Sequence, residues 1–213
     1  LNKPSGVAVH GGSGVSFGVI EALRAARPDA PFLELAHRLD RDTSGCLVIA
    51  KRRSALRAFH QLLRDGGIDK RYLALVKGRW TGGEQRVEAP LRKNTLKSGE
   101  RIVRVDPDGK AALSLFGPVA IYKNASLVQV KLITGRTHQV RVHAAHAGHP
   151  LAGDGKYGDP AFNRAMADRG LKRLFLHASA LSFTLPLEGA GPVDVSAPLG
   201  PELRHVLDEL EGE

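Results

Sequence analysis

The sequence contains a single cysteine, Cys46, among its 213 residues. One cysteine excludes an internal disulfide framework and any zinc site built from several cysteines. The sequence also lacks an apolar run close to the roughly 20 residues that a membrane-spanning helix requires, and it shows no signal peptide. We therefore expect a cytoplasmic protein with no membrane partner.

Acidic residues are scarce relative to basic ones. The 31 lysines and arginines outnumber the 22 aspartates and glutamates, which gives a formal net charge of +9. Such an excess is typical of proteins that bind a polyanion, and nucleic acid is a better fit than an anionic membrane surface. Because 42% of the residues are hydrophobic, the chain has enough apolar material for one large domain or two small ones.

Apolar residues recur at helical and strand spacings without strict alternation of the two. This mixture predicts an α+β fold with a largely antiparallel or mixed sheet. The predicted helices cover residues 17–26, the segment from Ser54 as cap to the glycines at 66–67, the segment from Thr137 as cap to Gly148, and a last stretch from Pro201. The predicted strands include CLVIA at 46–50, RYLALVKG at 71–78, RIVRV at 101–105, ASLVQVKLI at 125–133 and LFLHASALSF at 174–183.

A densely charged stretch, HRLDRDTSG at residues 37–45, precedes the predicted strand at 46–50. Asp40 lies between Arg38 and Arg41, whose positive charges favour its ionised form. An ionised carboxylate held in this way is a candidate nucleophile. A structural ion-pair network in a turn is the alternative, and from the residues alone it is favoured because ion pairs in loops are far commoner than catalytic carboxylates.

The same stretch resembles the active-site motif of the RluA-type pseudouridine synthases, which is HRLD, two variable residues and TSG. The resemblance implies the pseudouridine synthase fold, with an active-site cleft across the central sheet and one catalytic domain over residues 1–213. It also implies isomerisation of uridine to pseudouridine in RNA without any cofactor. Four further blocks resemble the family in the same order, namely LNKPSGVAVH, KRYLALVKG, LITGRTHQVRVHAAHAGHPLAGDGKYG and RLFLHASALSF.

The resemblance implies a role for individual residues of the site. Asp40 corresponds to the catalytic nucleophile, and Arg38 to the residue that fills the space left by the extruded target base. Tyr72 corresponds to a tyrosine that packs against the uracil, Arg136 to an arginine that pairs with the catalytic carboxylate, and Leu176 to an apolar residue that lines the pocket. Without the resemblance, Tyr72 and Leu176 are ordinary strand residues, and Arg136 is a ligand of phosphate or carbonyl groups.

Within the family, the segments LNKPSGVAVHGGSG and KSGERIVRV are most similar to RluC-type synthases of large-subunit ribosomal RNA. That similarity implies large-subunit ribosomal RNA as the partner and an S4-type RNA-binding domain ahead of Leu1. A sibling acting on another ribosomal site or on transfer RNA, and a non-catalytic RNA-binding module, are the alternatives. The basic segment 86–110 predicts two short strands whose cations contact phosphates or face solvent. The RNA-binding candidates are Arg41, Arg92, Lys93, Lys97, Arg101 and Arg141.

Four histidines fall within residues 138–149 and raise the possibility of a metal site. A zinc site needs ligands one helical turn apart and a third ligand, usually with a glutamate between the first two. The segment contains no acidic residue. We therefore expect no metal, and we expect the protein to act as a monomer.

Overall fold

The structure is a computed structural model that describes residues 1–12, 17–95 and 101–212, without the side chains of Thr95 and Arg101. The chain divides into two compact units. The first unit comprises Leu1–Lys70 with His177–Pro198, and the second comprises Arg71–Leu176 with Leu199–Glu213. Both units combine helices with mostly antiparallel strands, so the predicted α+β class is confirmed.

The described residues form five helices and twelve strands, numbered here in chain order. The helices are α1 (Val19–Ala26), α2 (Arg53–Asp65), α3 (Gln139–His146), α4 (Pro160–Asp168) and α5 (Pro201–Glu211). The strands are β1 (Asn2–Lys3), β2 (Glu34–Leu35), β3 (Ser44–Cys46), β4 (Ile49–Ala50), β5 (Asp69–Lys77), β6 (Gln85–Glu88), β7 (Leu91–Thr95), β8 (Arg101–Val105), β9 (Leu113–Ile121), β10 (Ala125–Leu132), β11 (Leu176–Thr184) and β12 (Pro192–Ser196).

Strand β3 is the centre of the first unit. It pairs antiparallel with β1, where Lys3 lies opposite Gly45, and parallel with β11, where His177 lies opposite Ser44. Strand β12 continues this group by pairing antiparallel with β11, while β2 and β4 form a separate ribbon. Helix α2 packs through Phe59, whose ring meets that of Phe183 edge to face at 5.0 Å.

Strands β5, β10, β9 and β6 pair antiparallel in this order in the second unit, and β7 and β8 form a separate hairpin. Successive side chains of a strand point to opposite faces, and helices cover both faces here. The first core cluster includes Ala74, Val76, Val128 and Val130 of the strands, Val140 and Ala144 of α3, and Leu176. The second core cluster includes Leu75 and Leu127 of the strands, Phe162 and Met166 of α4, and Leu203, Val206 and Leu210 of α5.

The continuous apolar run at 46–50 is divided between two sheets, so the prediction of one strand there is wrong. Strand β3 ends at Cys46, and the next peptide N–H, that of Leu47, bonds to the carbonyl of Leu1. The carbonyl of Val48 then accepts from Ala36 at 3.0 Å, which starts the β2–β4 ribbon. The apolar character of residues 46–50 does not predict this change of sheet, because apolar residues are favoured in both sheets.

The predicted capping residues are also wrong for two helices. Helix α2 begins at Arg53, so Ser54 lies in its first turn, although the predicted end at the glycine pair is confirmed by a left-handed Gly66. Helix α3 follows His138, whose φ is 53°, and Thr137 does not cap it. Helix α4 was not predicted. Its start carries a recognisable sequence signal, because Asp159 at the N-cap is followed by Pro160. In the structure the Asp159 carboxylate accepts from the Phe162 N–H at 2.7 Å.

Gly45 is required by the close approach of β3 to β11. Its φ is +111°, and a Cβ there would lie 2.2 Å from the carbonyl oxygen of Ala178. We expect Gly45→Ala to lower the free energy of unfolding by roughly 3 kcal/mol or more, because backbone strain and overpacking add. Urea unfolding curves measure this change. Gly191→Ala is the matched control in the same unit because a Cβ there meets nothing within 4 Å. Equal midpoints for the two variants would contradict the expectation.

Candidate active site

Asp40 lies in a turn between β2 and β3. Its carbonyl accepts from the N–H of Thr43 at 3.1 Å, and its side chain is half-buried. The neighbouring Leu39 is buried and Arg38 is exposed. Arg41 is exposed too, and its Nε donates to the Asp42 carboxylate at 3.1 Å. The ion pair between Arg41 and Asp42 therefore lies at the surface, next to a carboxylate that is partly withdrawn from water.

A buried lysine holds the backbone that follows Asp40. The side chain of Lys3 is fully buried, and its Nζ donates to the carbonyls of Pro4 at 2.8 Å, Val7 at 2.8 Å and Arg41 at 2.9 Å. The Gly6 N–H donates to the same Arg41 carbonyl at 2.9 Å. Sequence reasoning missed this role for Lys3, although the residue lies in a block that resembles the family.

His37 supports the other end of the charged loop. Its Nε2 accepts from the N–H of Val48 at 3.0 Å, and its ring stacks on that of Phe59 with 5.9 Å between the ring centroids. Burial lowers the pKa of His37 to about 4, so the ring is neutral near pH 7. A neutral ring can accept this bond, which makes His37 a fixed structural element rather than a titrating group.

A buried hydroxyl and imidazole join the end of the charged loop to β11. Ser44 Oγ lies 2.8 Å from His177 Nδ1, and His177 Nε2 lies 2.9 Å from the carbonyl oxygen of Ala197. A carbonyl only accepts, so Nε2 donates to it, and Nδ1 of a ring in its neutral form accepts from the Ser44 hydroxyl. The structure thus brings together the TSG segment and the histidine of RLFLHASALSF.

Tyr72 and Leu176 are brought together in the second unit. Tyr72 lies on β5 opposite Val130 of β10, and its half-buried ring packs against the first core cluster. Leu176 belongs to that cluster and is buried. This arrangement suits the wall of an apolar pocket, in which one side of the tyrosine is packed and the other remains accessible.

Arg136 is exposed in the turn that leads from β10 into α3. Its N–H donates to Oε1 of the buried Gln139 at 2.9 Å, and its Nε donates to the carbonyl of Ala111 at 3.1 Å. Gln139 also accepts from the Thr134 hydroxyl at 2.7 Å and donates to the carbonyl of Leu113 at 2.9 Å. Gln139 therefore fixes the shape of this turn, a role that sequence reasoning missed.

A hydroxyl group links the same turn to the basic hairpin formed by β7 and β8. The Tyr157 oxygen lies 2.7 Å from His138 Nδ1 and accepts from the N–H of Val103 on β8 at 2.9 Å. Val103 packs with Leu91 of β7 and Val142 of α3 in a small buried cluster. The hairpin is thus fastened to α3 by a polar and an apolar contact.

The side chain of Arg141 is buried and ion-paired, so the prediction that it contacts RNA is corrected. Its guanidinium donates twice to the Asp154 carboxylate, at 2.8 Å and 2.7 Å, and only 8% of Arg141 is exposed. It also lies 5.0 Å from the centre of the Tyr157 ring. Burial opposes ionisation of Asp154, but the bonds from Arg141 outweigh it and lower the carboxyl pKa. Sequence alone could not reveal this pairing.

The other RNA-binding candidates lie on the hairpin or in the charged loop. Arg92 and Lys93 are exposed on β7, and Arg92 lies opposite Arg104 of β8. The Asp106 carboxylate forms ion pairs with both arginines, with oxygen–nitrogen distances of 3.6 Å to Arg92 and 3.3 Å to Arg104. The predicted hairpin is confirmed by the pairing of β7 with β8. Lys97 lies outside the described residues, and of Arg101 only the backbone, opposite Thr95, is described.

The histidines near α3 make local contacts. His143 is buried between the Ser114 hydroxyl and the Ala89 carbonyl, each 3.0 Å from a ring nitrogen. His149 Nδ1 lies 2.8 Å from the carbonyl oxygen of Lys77. Among residues 1–12, 17–95 and 101–212, no group of three histidine, cysteine or acidic side chains is placed to hold a metal ion. In the same residues, no helix is long and apolar enough to cross a membrane.

Comparison with known proteins identifies relatives along the whole chain. The ribosomal large subunit pseudouridine synthase C of Pasteurella multocida is 57% identical over 210 residues, which are 99% of this chain and 64% of that protein. The protein of the same name from Escherichia coli K12 is 57% identical over 213 residues, 99% of this chain and 66% of that protein. The chain therefore spans just under two thirds of the length of these curated relatives.

Solved structures agree with the sequence relatives. Human RNA pseudouridylate synthase domain containing 4 has a TM-score of 0.77 and 25% identity, covering 99% of this chain and 88% of that chain. Human RNA pseudouridylate synthase domain containing 1 shares the fold with a TM-score of 0.73 and 24% identity, covering 100% and 90%. The family model described as RNA pseudouridylate synthase matches residues 1–146. Because this match includes the charged loop, Tyr72 and Arg136, the chain belongs to the RNA pseudouridylate synthase family.

Proposed function

We propose that the protein isomerises uridine to pseudouridine in large-subunit ribosomal RNA, with Asp40 as the catalytic carboxylate. The observation that carries this proposal is the support of the Asp40 loop on both sides by buried or half-buried polar groups, from Lys3 and His37 to the Ser44–His177 pair. Polar groups are buried at a cost, so such support is expected where one loop conformation must be kept. The names of the curated relatives support the choice of RNA.

The reaction rearranges bonds within one nucleotide. The bond from N1 of uracil to the sugar carbon breaks, the base turns, and a bond forms from C5 to the same carbon. C5 loses its proton and N1 ends protonated, so atoms and electrons balance without an oxidant or a cofactor. In this scheme Asp40 acts on the sugar carbon or on the base, or it supports a glycal intermediate.

The remaining site residues have supporting roles in the proposal. Arg38 is exposed two residues before Asp40, which suits a side chain that enters the space of an extruded base. Tyr72 and Leu176 supply the apolar wall, and the Tyr72 hydroxyl takes part in proton transfer. The pairing of Arg136 with the catalytic carboxylate stays a prediction from the family resemblance. A monomeric protein acting in the cytoplasm completes the proposal.

We expect Asp40→Asn to reduce turnover by roughly 1,000-fold or more, because the nucleophile is lost while the side-chain shape is kept. The measurement is tritium release from large-subunit ribosomal RNA labelled at uridine C5, with and without EDTA, which is expected to have no effect. Asp42→Asn is the matched control because Asp42 lies in the same loop and pairs with Arg41; it should keep turnover within about tenfold.

Two outcomes of this assay would contradict the proposal. Wild-type turnover in Asp40→Asn would remove Asp40 from the mechanism. Tight RNA binding by the wild type without any tritium release would favour the non-catalytic RNA-binding module. Release from transfer RNA, or from a different ribosomal site, would keep the chemistry and correct the substrate.

We expect Tyr72→Phe to lower the rate of tritium release by about 100-fold while RNA remains bound, because only the hydroxyl is removed. Single-turnover kinetics with excess enzyme separate the chemical rate from affinity. Tyr122→Phe is the control, since Tyr122 is a buried member of the second core cluster. Unchanged kinetics for Tyr72→Phe would show that the Tyr72 hydroxyl takes no part in the reaction.

We expect Lys93→Gln to weaken RNA binding and to reduce the slope of log Kd against log salt concentration by about 1, because one phosphate contact is lost. Filter binding over a series of salt concentrations measures the slope. Lys123→Gln removes an exposed lysine elsewhere in the same unit and serves as the control. If both variants keep the wild-type slope, this face of the hairpin does not contact RNA.

A further inference from the structure

Helix α2 begins with an unusual concentration of positive charge. Four exposed cations, Lys51, Arg52, Arg53 and Arg57, lie within seven residues that contain no aspartate or glutamate. We call these four residues the α2 basic patch. Neither the family motifs nor the charged loop includes them.

The cations of the α2 basic patch are not compensated by carboxylates. Within the described part of the chain none of them forms an ion pair, and the Arg53 guanidinium lies 5.5 Å from the centre of the Phe32 ring. Exposed arginines elsewhere do form ion pairs with carboxylates, as in the Arg86–Glu88 pair at 2.7 Å and the Arg41–Asp42 pair at 3.1 Å. The patch therefore keeps its full positive charge available to a partner outside the protein.

The position of these charges is unfavourable for the helix itself. The N-terminus of a helix carries partial positive charge and unpaired N–H groups, so it attracts anions and repels cations. Helix α2 has Arg52 as its N-cap, no side-chain cap and no acidic residue in its first turn. Folding alone would favour the opposite charges here, whereas a bound polyanion would satisfy both the cations and the N–H groups.

Two other residues of α2 attach the helix to the backbone that leads to Asp40. Phe59 stacks on the ring of His37, and His60 Nε2 donates to the carbonyl of Ala36 at 3.1 Å. Helix and charged loop thus form one packed element within the first unit. An anion held by the α2 basic patch would therefore be kept at a fixed position relative to the charged loop.

We propose that the α2 basic patch binds the phosphodiester backbone of the substrate RNA next to the target uridine. This inference rests on the proposed function, because it takes the partner to be the RNA that Asp40 acts on. Contacts to phosphates position a nucleic acid without selecting its sequence. The patch therefore supplies register and affinity, and the choice of uridine depends on other residues.

The test compares two double variants of the full chain in the Asp40→Asn background, so that RNA is bound but not converted. Arg52→Gln with Arg57→Gln removes two charges from the patch and leaves the Arg53–Phe32 contact intact. Lys123→Gln with Arg164→Gln removes two exposed charges of the second unit as the control. The probe is an unmodified transcript of large-subunit ribosomal RNA.

The patch variant is expected to reduce the slope of log Kd against log salt concentration by about 2, roughly 1 for each lost phosphate contact. The control is expected to leave the slope close to that of the parent. Equal slopes for all three proteins, or an equal loss in both double variants, would overturn the proposal. Restoring charge with Arg52→Lys and Arg57→Lys should restore most of the slope.

A second measurement on the unmutated chain covers the case in which the patch variant fails to fold. Acylation of lysines by a succinimide ester is followed by mass spectrometry with and without the transcript. RNA should protect Lys51 and leave Lys123 reactive; equal reactivity of Lys51 in both samples would overturn the proposal. Neither readout requires turnover. Absence of tritium release would therefore contradict the proposed function, whereas an unchanged salt slope or an unchanged reactivity of Lys51 would contradict only the proposal about the α2 basic patch.

Discussion

The buried ammonium of Lys3 is the constraint on which the charged loop depends. A charged group is costly to remove from water unless hydrogen bonds replace its hydration. Lys3 obtains those bonds from three backbone carbonyls, one of which belongs to Arg41. Residues 3–7 and Arg41 must therefore lie close together in the folded chain. Any loop conformation that withdrew the Arg41 carbonyl would leave a buried charge poorly solvated.

Two further buried contacts extend this constraint along the loop. His37 receives a backbone N–H before Asp40, and Ser44 meets His177 after it. Each contact uses a polar group whose loss would leave its partner buried and unsatisfied, which makes the loop stiff. A stiff loop holds its carboxylate in place before the substrate arrives. In the proposed reaction, preorganisation of this kind lowers the cost of reaching a charged transition state.

The sequence alone predicted the elements that depend on local pattern. The charged loop, the β7–β8 hairpin and the glycine end of α2 all follow from residues close together in the chain. The failures depend on residues that meet only after folding. Arg141 was assigned to RNA because its partner, Asp154, approaches it only in the folded chain. The run at 46–50 was assigned to one strand because its change of sheet is set by Leu1 and Ala36.

In each of the two units, side-chain contacts connect a basic surface to a segment that carries a residue of the candidate site. In the first, α2 connects its basic patch to the Asp40 loop through Phe59 and His60. In the second, Tyr157 connects the basic hairpin to the turn that carries Arg136. In the proposed function, phosphate contacts at the surface set affinity, and the buried contacts set the geometry of the reacting groups. Because the two sets of groups are different, the proposed function allows the surface charge to change for a new RNA while the geometry around Asp40 is kept.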